Sequence, residues 1–169
     1  MDQKDEVKFR QLILPHFETA FNLARWLTQS DADASDILQD ASIKAFRFMN
    51  SVKLEHPRAW FLQIVRNTSY TLLKSRKIYV EVDFEKKIED VSPNAEEILL
   101  EKVSAQELNL ALNELALPYR EILILRELEE LSYEEVSEML EIPMGTVMSR
   151  LSRARDMLKK KLILKGSKP

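Results

Sequence analysis

The stretch Leu131–Leu158, LSYEEVSEMLEIPMGTVMSRLSRARDML, decides how the chain reads. Ser132 followed by Glu135 fits a capping box that starts a helix. Val136, Met139 and Leu140 then recur at helical spacing. Pro143 and Gly145 break the pattern, and a second amphipathic run begins near Thr146. Two short helices joined by a tight turn make a helix-turn-helix, whose second helix commonly enters the DNA major groove. At 100° per residue, Val147, Leu151, Ala154 and Leu158 fall on one narrow stripe that should face the protein. Ser149, Ser152 and Arg153 fall roughly opposite, with Arg150 and Arg155 on the flanks. Arginine grips guanine through O6 and N7, and serine adapts to bases or phosphates. An ordinary surface helix with solvated arginines gives the same wheel, so the wheel leaves both readings open.

Composition narrows the class. The chain has 169 residues, enough for one domain or two small ones, and 45% of them are hydrophobic. With only 2 glycines and little β-branched alternation, an all-α fold is expected. The absence of cysteine excludes disulfides and zinc-thiolate sites, and no cofactor or metal is expected. The N-terminus MDQKDEVKFR lacks an apolar core and no run approaches a membrane span, so a cytoplasmic protein is expected. His16 and His56 are the only histidines. Neither sits in an acid–base or metal constellation, and no phosphate-cradling glycine loop exists, so an enzyme is not expected.

Net charge is −3, but it is unevenly spread. From Met144 to Pro169 there are eight Lys or Arg and one acid; from Val52 to Lys77, six and one. From Glu81 to Glu101 there are eight acids and two lysines. Exposed charges are screened beyond about 10 Å, so basic patches on an acidic background still hold a polyanion locally. Two basic segments suggest two nucleic-acid contacts.

Upstream, Val7 to Leu27 reads as helix, interrupted by Pro15. Ser30 to Ser35 reads as a polar turn, followed by a helix to about Met49 with Leu38, Ala41, Ala45 and Phe48 on one stripe. Asp36, Gln39 and Asp40 are exposed in its first turn. They complement the helix dipole, or form a docking edge for a basic partner. Pro57 opens a long helix to about Arg76. Phe61, Ile64 or Val65, Thr68 and Leu72 form its buried side, and Trp60, Gln63, Asn67, Thr71 and Lys74 line a different face. That face carries an aromatic that stacks on unpaired bases and amides that bond to base edges; a core tryptophan is the plain alternative. Residues 79–95, acidic and containing Ser92-Pro93-Asn94, read as a linker. Helix resumes from Glu96 to about Glu114, and another runs from Leu117-Pro118 into the opening stretch.

Taken together, several blocks resemble the extracytoplasmic-function group of bacterial sigma-70 factors. Asp36-Ile37-Leu38-Gln39-Asp40-Ala41 and Ile43-Lys44-Ala45-Phe46-Arg47 look like region 2.2. Pro57-Arg58-Ala59-Trp60-Phe61 through Arg66-Asn67 look like regions 2.3 and 2.4. Leu117-Pro118-Tyr119-Arg120, Leu125-Arg126-Glu127-Leu128, Leu131-Ser132-Tyr133-Glu134-Glu135 and Gly145 to Arg155 resemble region 4. The resemblance implies two small helical domains, residues 1–78 and 96–169, joined by the acidic linker. It implies an alternative sigma factor that binds core RNA polymerase at the β′ clamp helices, through Asp36, Gln39 and Asp40, and at the β flap. It implies melting of the promoter −10 element by the Trp60, Gln63, Asn67, Thr71 and Lys74 face, with Asn67 beside the pocket for a flipped-out base. It also implies −35 duplex recognition through Arg126, Met148, Ser149, Arg150, Ser152, Arg153 and Arg155, and a partner anti-sigma factor, often membrane-bound. Two positions depart from the pattern. Met148 stands where the family often has a basic residue, and Thr71 where relatives can carry an amide. A stand-alone helix-turn-helix regulator remains the alternative, but it leaves the Trp60–Lys74 face unused.

Overall fold

Pro15 and Ser30 punctuate the N-terminal half. The computed structural model describes residues 2–76 and 103–166, with side chains to Ile163. Helix α1 (Gln3–Leu12) begins at Asp2, whose carboxylate accepts from the Lys4 N–H. It runs into a 3₁₀ turn over Leu14–His16 that contains Pro15, and α2 (Phe17–Thr28) follows. Pro15 is therefore a boundary between helices. Gln29 closes α2 in the left-handed region, at φ 58°.

Helix α3 spans Asp31–Phe48, four residues longer at its start than the sequence pattern suggests. The Ser30 hydroxyl accepts from the Asp33 N–H at 3.2 Å, and the Asp-rich segment becomes the acidic first turn, where the helix dipole favours it. The longer helix also corrects the expected stripe. Ala34, Ile37, Ala41 and Ala45 are buried, whereas Leu38 is half-buried and Phe48 is exposed. Helix α4 (Pro57–Ser75) starts with proline at its first position, as expected.

The chain divides into two compact units, one holding the N-terminal helices and Glu134–Glu141, the other the remaining C-terminal residues. In the first, α2, α3 and α4 pack on one another. The alanine stripe of α3 admits close approach beside Leu23, Leu27, Phe61, Leu62 and Val65, all 2% exposed or less. Phe17 stacks on Phe61 with centroids 5.7 Å apart, and Phe9 meets Phe17 and Phe46 edge-on.

In the second unit, α5 (Ala105–Asn113) opens with a capping box between Ser104 and Glu107. Residues 77–102, including the expected acidic linker and the start of the expected Glu96 helix, lie outside the described residues. Helix α6 (Leu117–Leu123) continues into one turn of π-helix over Ile124–Leu128, where the Glu129 N–H reaches the Ile124 carbonyl at 2.9 Å. Helix α7 is Tyr133–Leu140, whose residues from Glu134 onward group with the first unit, and α8, in the second, is Met144–Gly166. Between them Glu141 takes φ 55°, and the Val147 N–H bonds the Pro143 carbonyl at 3.0 Å. Helices α5 and α6 pack against α8, burying Leu112, Tyr119, Ile122, Val147, Leu151, Ala154 and Leu158. Among the described residues every regular element is helical.

Candidate nucleic-acid interface

Two helix faces carry the polar residues singled out in the sequence. On α4, Ala59, Phe61, Leu62, Val65, Ser69 and Leu73 are buried. The opposite stripe presents Asn67, Thr71 and Lys74 exposed, with Trp60 and Gln63 half-buried. Trp60 is therefore at the rim of the core rather than inside it. The Thr71 hydroxyl donates to the Asn67 carbonyl at 2.9 Å. Asn67 Oδ1 lies 3.5 Å from Arg66 Nη1, a long contact that leaves the amide adaptable. Thr68, expected on the buried side, is buried.

Asp36, Gln39 and Asp40 are all exposed on α3. A groove between α3 and α4 is lined by Asp36 and Asp40 on one wall and by Thr68 and Thr71 on the other. Lys44 bridges the walls, its Nζ donating to Thr68 Oγ1 at 3.2 Å. Sequence reasoning gave Lys44 no role, although its spacing from Asp36 and Asp40 places it on the same helix edge. Arg76, also missed, grips Asp33 through two hydrogen bonds of 2.6 and 3.0 Å. The Arg76 guanidinium holds the Asp33 carboxyl below the usual carboxylate range, helped by the Ser30 hydroxyl.

On α8 the buried stripe is the expected one: Val147, Leu151, Ala154 and Leu158 are each 3% exposed or less. Ser149, Arg150, Ser152, Arg153 and Arg155 are half-buried, and Met148 is exposed. Ser149 Oγ donates to the Thr146 carbonyl at 3.2 Å, Arg153 Nη1 approaches the Tyr119 hydroxyl at 3.4 Å, and Arg155 pairs with Glu127. Arg126 lies in the π-helical turn. Its Nη1 donates to the Leu131 carbonyl at 3.2 Å and its guanidinium stacks on Tyr133. Several of the expected DNA-facing cations thus also brace the fold. Among the described residues no cluster of His, Cys, Asp and Glu could hold a metal, and no helix is long and apolar enough to cross a membrane.

A polar aromatic–amide stripe on one helix, and a serine–arginine helix after a tight turn, have the layout of a helical nucleic-acid-binding protein. Residues 12–78 match sigma-70 region 2, and residues 105–158 match sigma-70 region 4. Over 162 residues the chain is 28% identical to the ECF RNA polymerase sigma factor SigE of Mycolicibacterium smegmatis, covering 94% of this chain and 63% of that protein. Over 170 residues it is 29% identical to the ECF RNA polymerase sigma-E factor of Escherichia coli, covering 94% and 88%. Its fold is similar to that of the sigma factor RpoE of Bartonella quintana, solved in complex with the anti-sigma factor NepR. The TM-score is 0.71 at 28% identity, over 95% of this chain and 99% of that one. The chain belongs to the sigma-70 family, in its extracytoplasmic-function group, and is an alternative sigma factor that directs promoter-specific transcription.

Proposed function

We propose that the two helix faces divide promoter recognition between them. The α4 stripe of Trp60, Gln63, Asn67, Thr71 and Lys74 receives the melted −10 element, with Asn67 contacting a base flipped out of the stack. Unstacking a base costs a few kcal/mol, which a preformed aromatic and amide surface returns. Residues 1–78 form the domain that does this, and the acidic edge of Asp36, Gln39 and Asp40 docks on the β′ clamp helices of core polymerase. Residues 96–169 form the second domain, which meets the β flap and reads the −35 duplex. There α8 enters the major groove with Ser149, Ser152 and Arg153 towards the bases, and Arg126, Arg150 and Arg155 at the phosphates. The protein catalyses nothing itself and acts in the cytoplasm. An anti-sigma factor holds it inactive, as the structure of the Bartonella relative with NepR suggests by analogy.

The observation that carries this reading is the outward, polar α4 stripe, which a stand-alone helix-turn-helix regulator would have no use for. Run-off transcription with core polymerase, followed by mapping of start sites, tests it. Promoter binding should require core polymerase, and Asn67→Ala should weaken initiation on duplex DNA while leaving core binding intact. Tight binding of duplex promoter by the chain alone would favour the regulator instead.

A further inference from the structure

We propose that Met148 is a specificity-determining residue that reads a thymine 5-methyl group in the −35 duplex. The proposal rests on the reading of α8 as the −35 helix and adds the chemistry of the base it selects.

Met148 is the fifth residue of a 23-residue helix, within the turns that in helix-turn-helix proteins contact base edges. It stands about 100° around the helix from buried Val147, and is 55% exposed. Its neighbours on this face are small. Gly145 is open, with nothing within 4 Å of where a Cβ would stand. The Ser149 hydroxyl donates back to Thr146. Arg155, on the same flank two turns on, is engaged by Glu127. Met148 is therefore an exposed large apolar side chain on this face of α8. Met144, one turn earlier and 41% exposed, continues the apolar strip.

A thioether offers no donor for guanine O6 and N7 and only a weak acceptor for an amino group. The apolar feature in the major groove is the C5 methyl of thymine. An unbranched, polarizable side chain adapts its rotamer to cover such a methyl. An arginine at this position would select guanine instead.

The test uses holoenzyme assembled from core polymerase and the full chain, on a promoter mapped by run-off transcription. Each −35 thymine, on either strand, is replaced in turn by uracil, which lacks only the methyl. One replacement should lower occupancy about fourfold, the worth of one methyl-sized apolar group removed from water. Met148→Ala should lower occupancy of the thymine promoter by a similar factor and be indifferent to that replacement. Met148→Arg should move the preference at that base pair to G·C. The proposal is overturned if scrambling the −35 element abolishes binding while no single uracil matters, or if the mapped element holds no thymine. It is equally overturned if Met148→Ala keeps the full uracil penalty, or if Met148→Arg leaves the preference unmoved. If scrambling the −35 element leaves wild-type occupancy unchanged, the reading of α8 itself fails and the proposal falls with it.

Discussion

The guanidinium carbon of Arg126 lies 4.6 Å from the ring centroid of Tyr133, the first residue of α7. Arg126 Nη1 also donates to the Leu131 carbonyl, so one side chain clasps the loop between the π-helical turn and α7. Arg126→Met keeps length and loses both contacts. A part-buried cation–π contact and one charged hydrogen bond together predict a loss of about 2 kcal/mol in chemical unfolding. The same variant separates bracing from phosphate contact. If Arg126 acts by bracing, promoter affinity falls with no change in its salt dependence. A phosphate contact would reduce the slope of log K against log salt by about one unit.

Arg120 anchors the second unit from within. It is 7% exposed, and its Nε and Nη2 reach the Leu112, Asn113 and Leu115 carbonyls at 3.1, 3.3 and 3.1 Å. Leu112 and Asn113 close α5 and Leu115 follows it, where carbonyls run short of backbone donors; the Leu112 carbonyl also accepts from the Leu115 N–H at 3.1 Å. Arg120→Met should destabilise by about 3 kcal/mol, because several buried carbonyls lose a charged donor at once. Arg120→Lys should recover only part of this, since a compact ammonium lacks the planar fork. Wild-type stability in Arg120→Met, measured by urea unfolding, would show that the carbonyls find other partners.

How much of this was legible in the sequence depends on the kind of signal. Pro57 and Pro143 are local signals: α4 begins at Pro57, and α8 begins at Met144, just after Pro143 and two residues before the expected start near Thr146, so Gly145 lies inside the helix. The buried stripe of α8 came directly from its spacing. The ends of the α3 stripe did not, because Ser30 was read as part of a turn and the helix it caps starts four residues earlier than the apolar pattern. Ala41 and Ala45 stay in the buried stripe, which continues through Ile37 and Ala34 rather than through Leu38. The π-helical turn has no sequence signature, since it moves one hydrogen bond without changing residue type. The engagements of Arg120, Arg126 and Arg155 were illegible for a different reason. A long cation's partner is set by the tertiary neighbourhood, and a helical wheel says only which way it leaves the helix.

Asp33 and Arg76 tie the start of α3 to the end of α4, and their pairing gives a pH dependence with a definite sign. The hydrogen bonds from Arg76 depress the Asp33 carboxyl, so its folded-state pKa lies below the unfolded value. The unfolded chain then binds the proton more readily. The stabilisation is fully present above the ordinary carboxylate range and is lost as pH falls through the depressed folded value. Arg76→Gln should move the Asp33 carboxyl resonance to titrate at higher pH and flatten this part of the acid limb of stability. A carboxyl that titrates identically in both proteins would mean that the pair does not form in solution.

Glu141 holds the turn between α7 and α8 at φ 55°, a left-handed conformation that costs a residue with a Cβ about 1–2 kcal/mol. Its side chain is exposed, so little packing is lost on removing it. Glu141→Gly relieves the strain but adds freedom to the unfolded chain, which offsets about 0.4–1 kcal/mol. The net expectation is a stabilisation of about 0.5 kcal/mol, read as a higher urea midpoint at unchanged m-value. Glu141→Val, with a branched Cβ in the same conformation, should lose stability relative to wild type. If glycine lowers the midpoint instead, the turn is held by the glutamate side chain rather than in spite of its backbone.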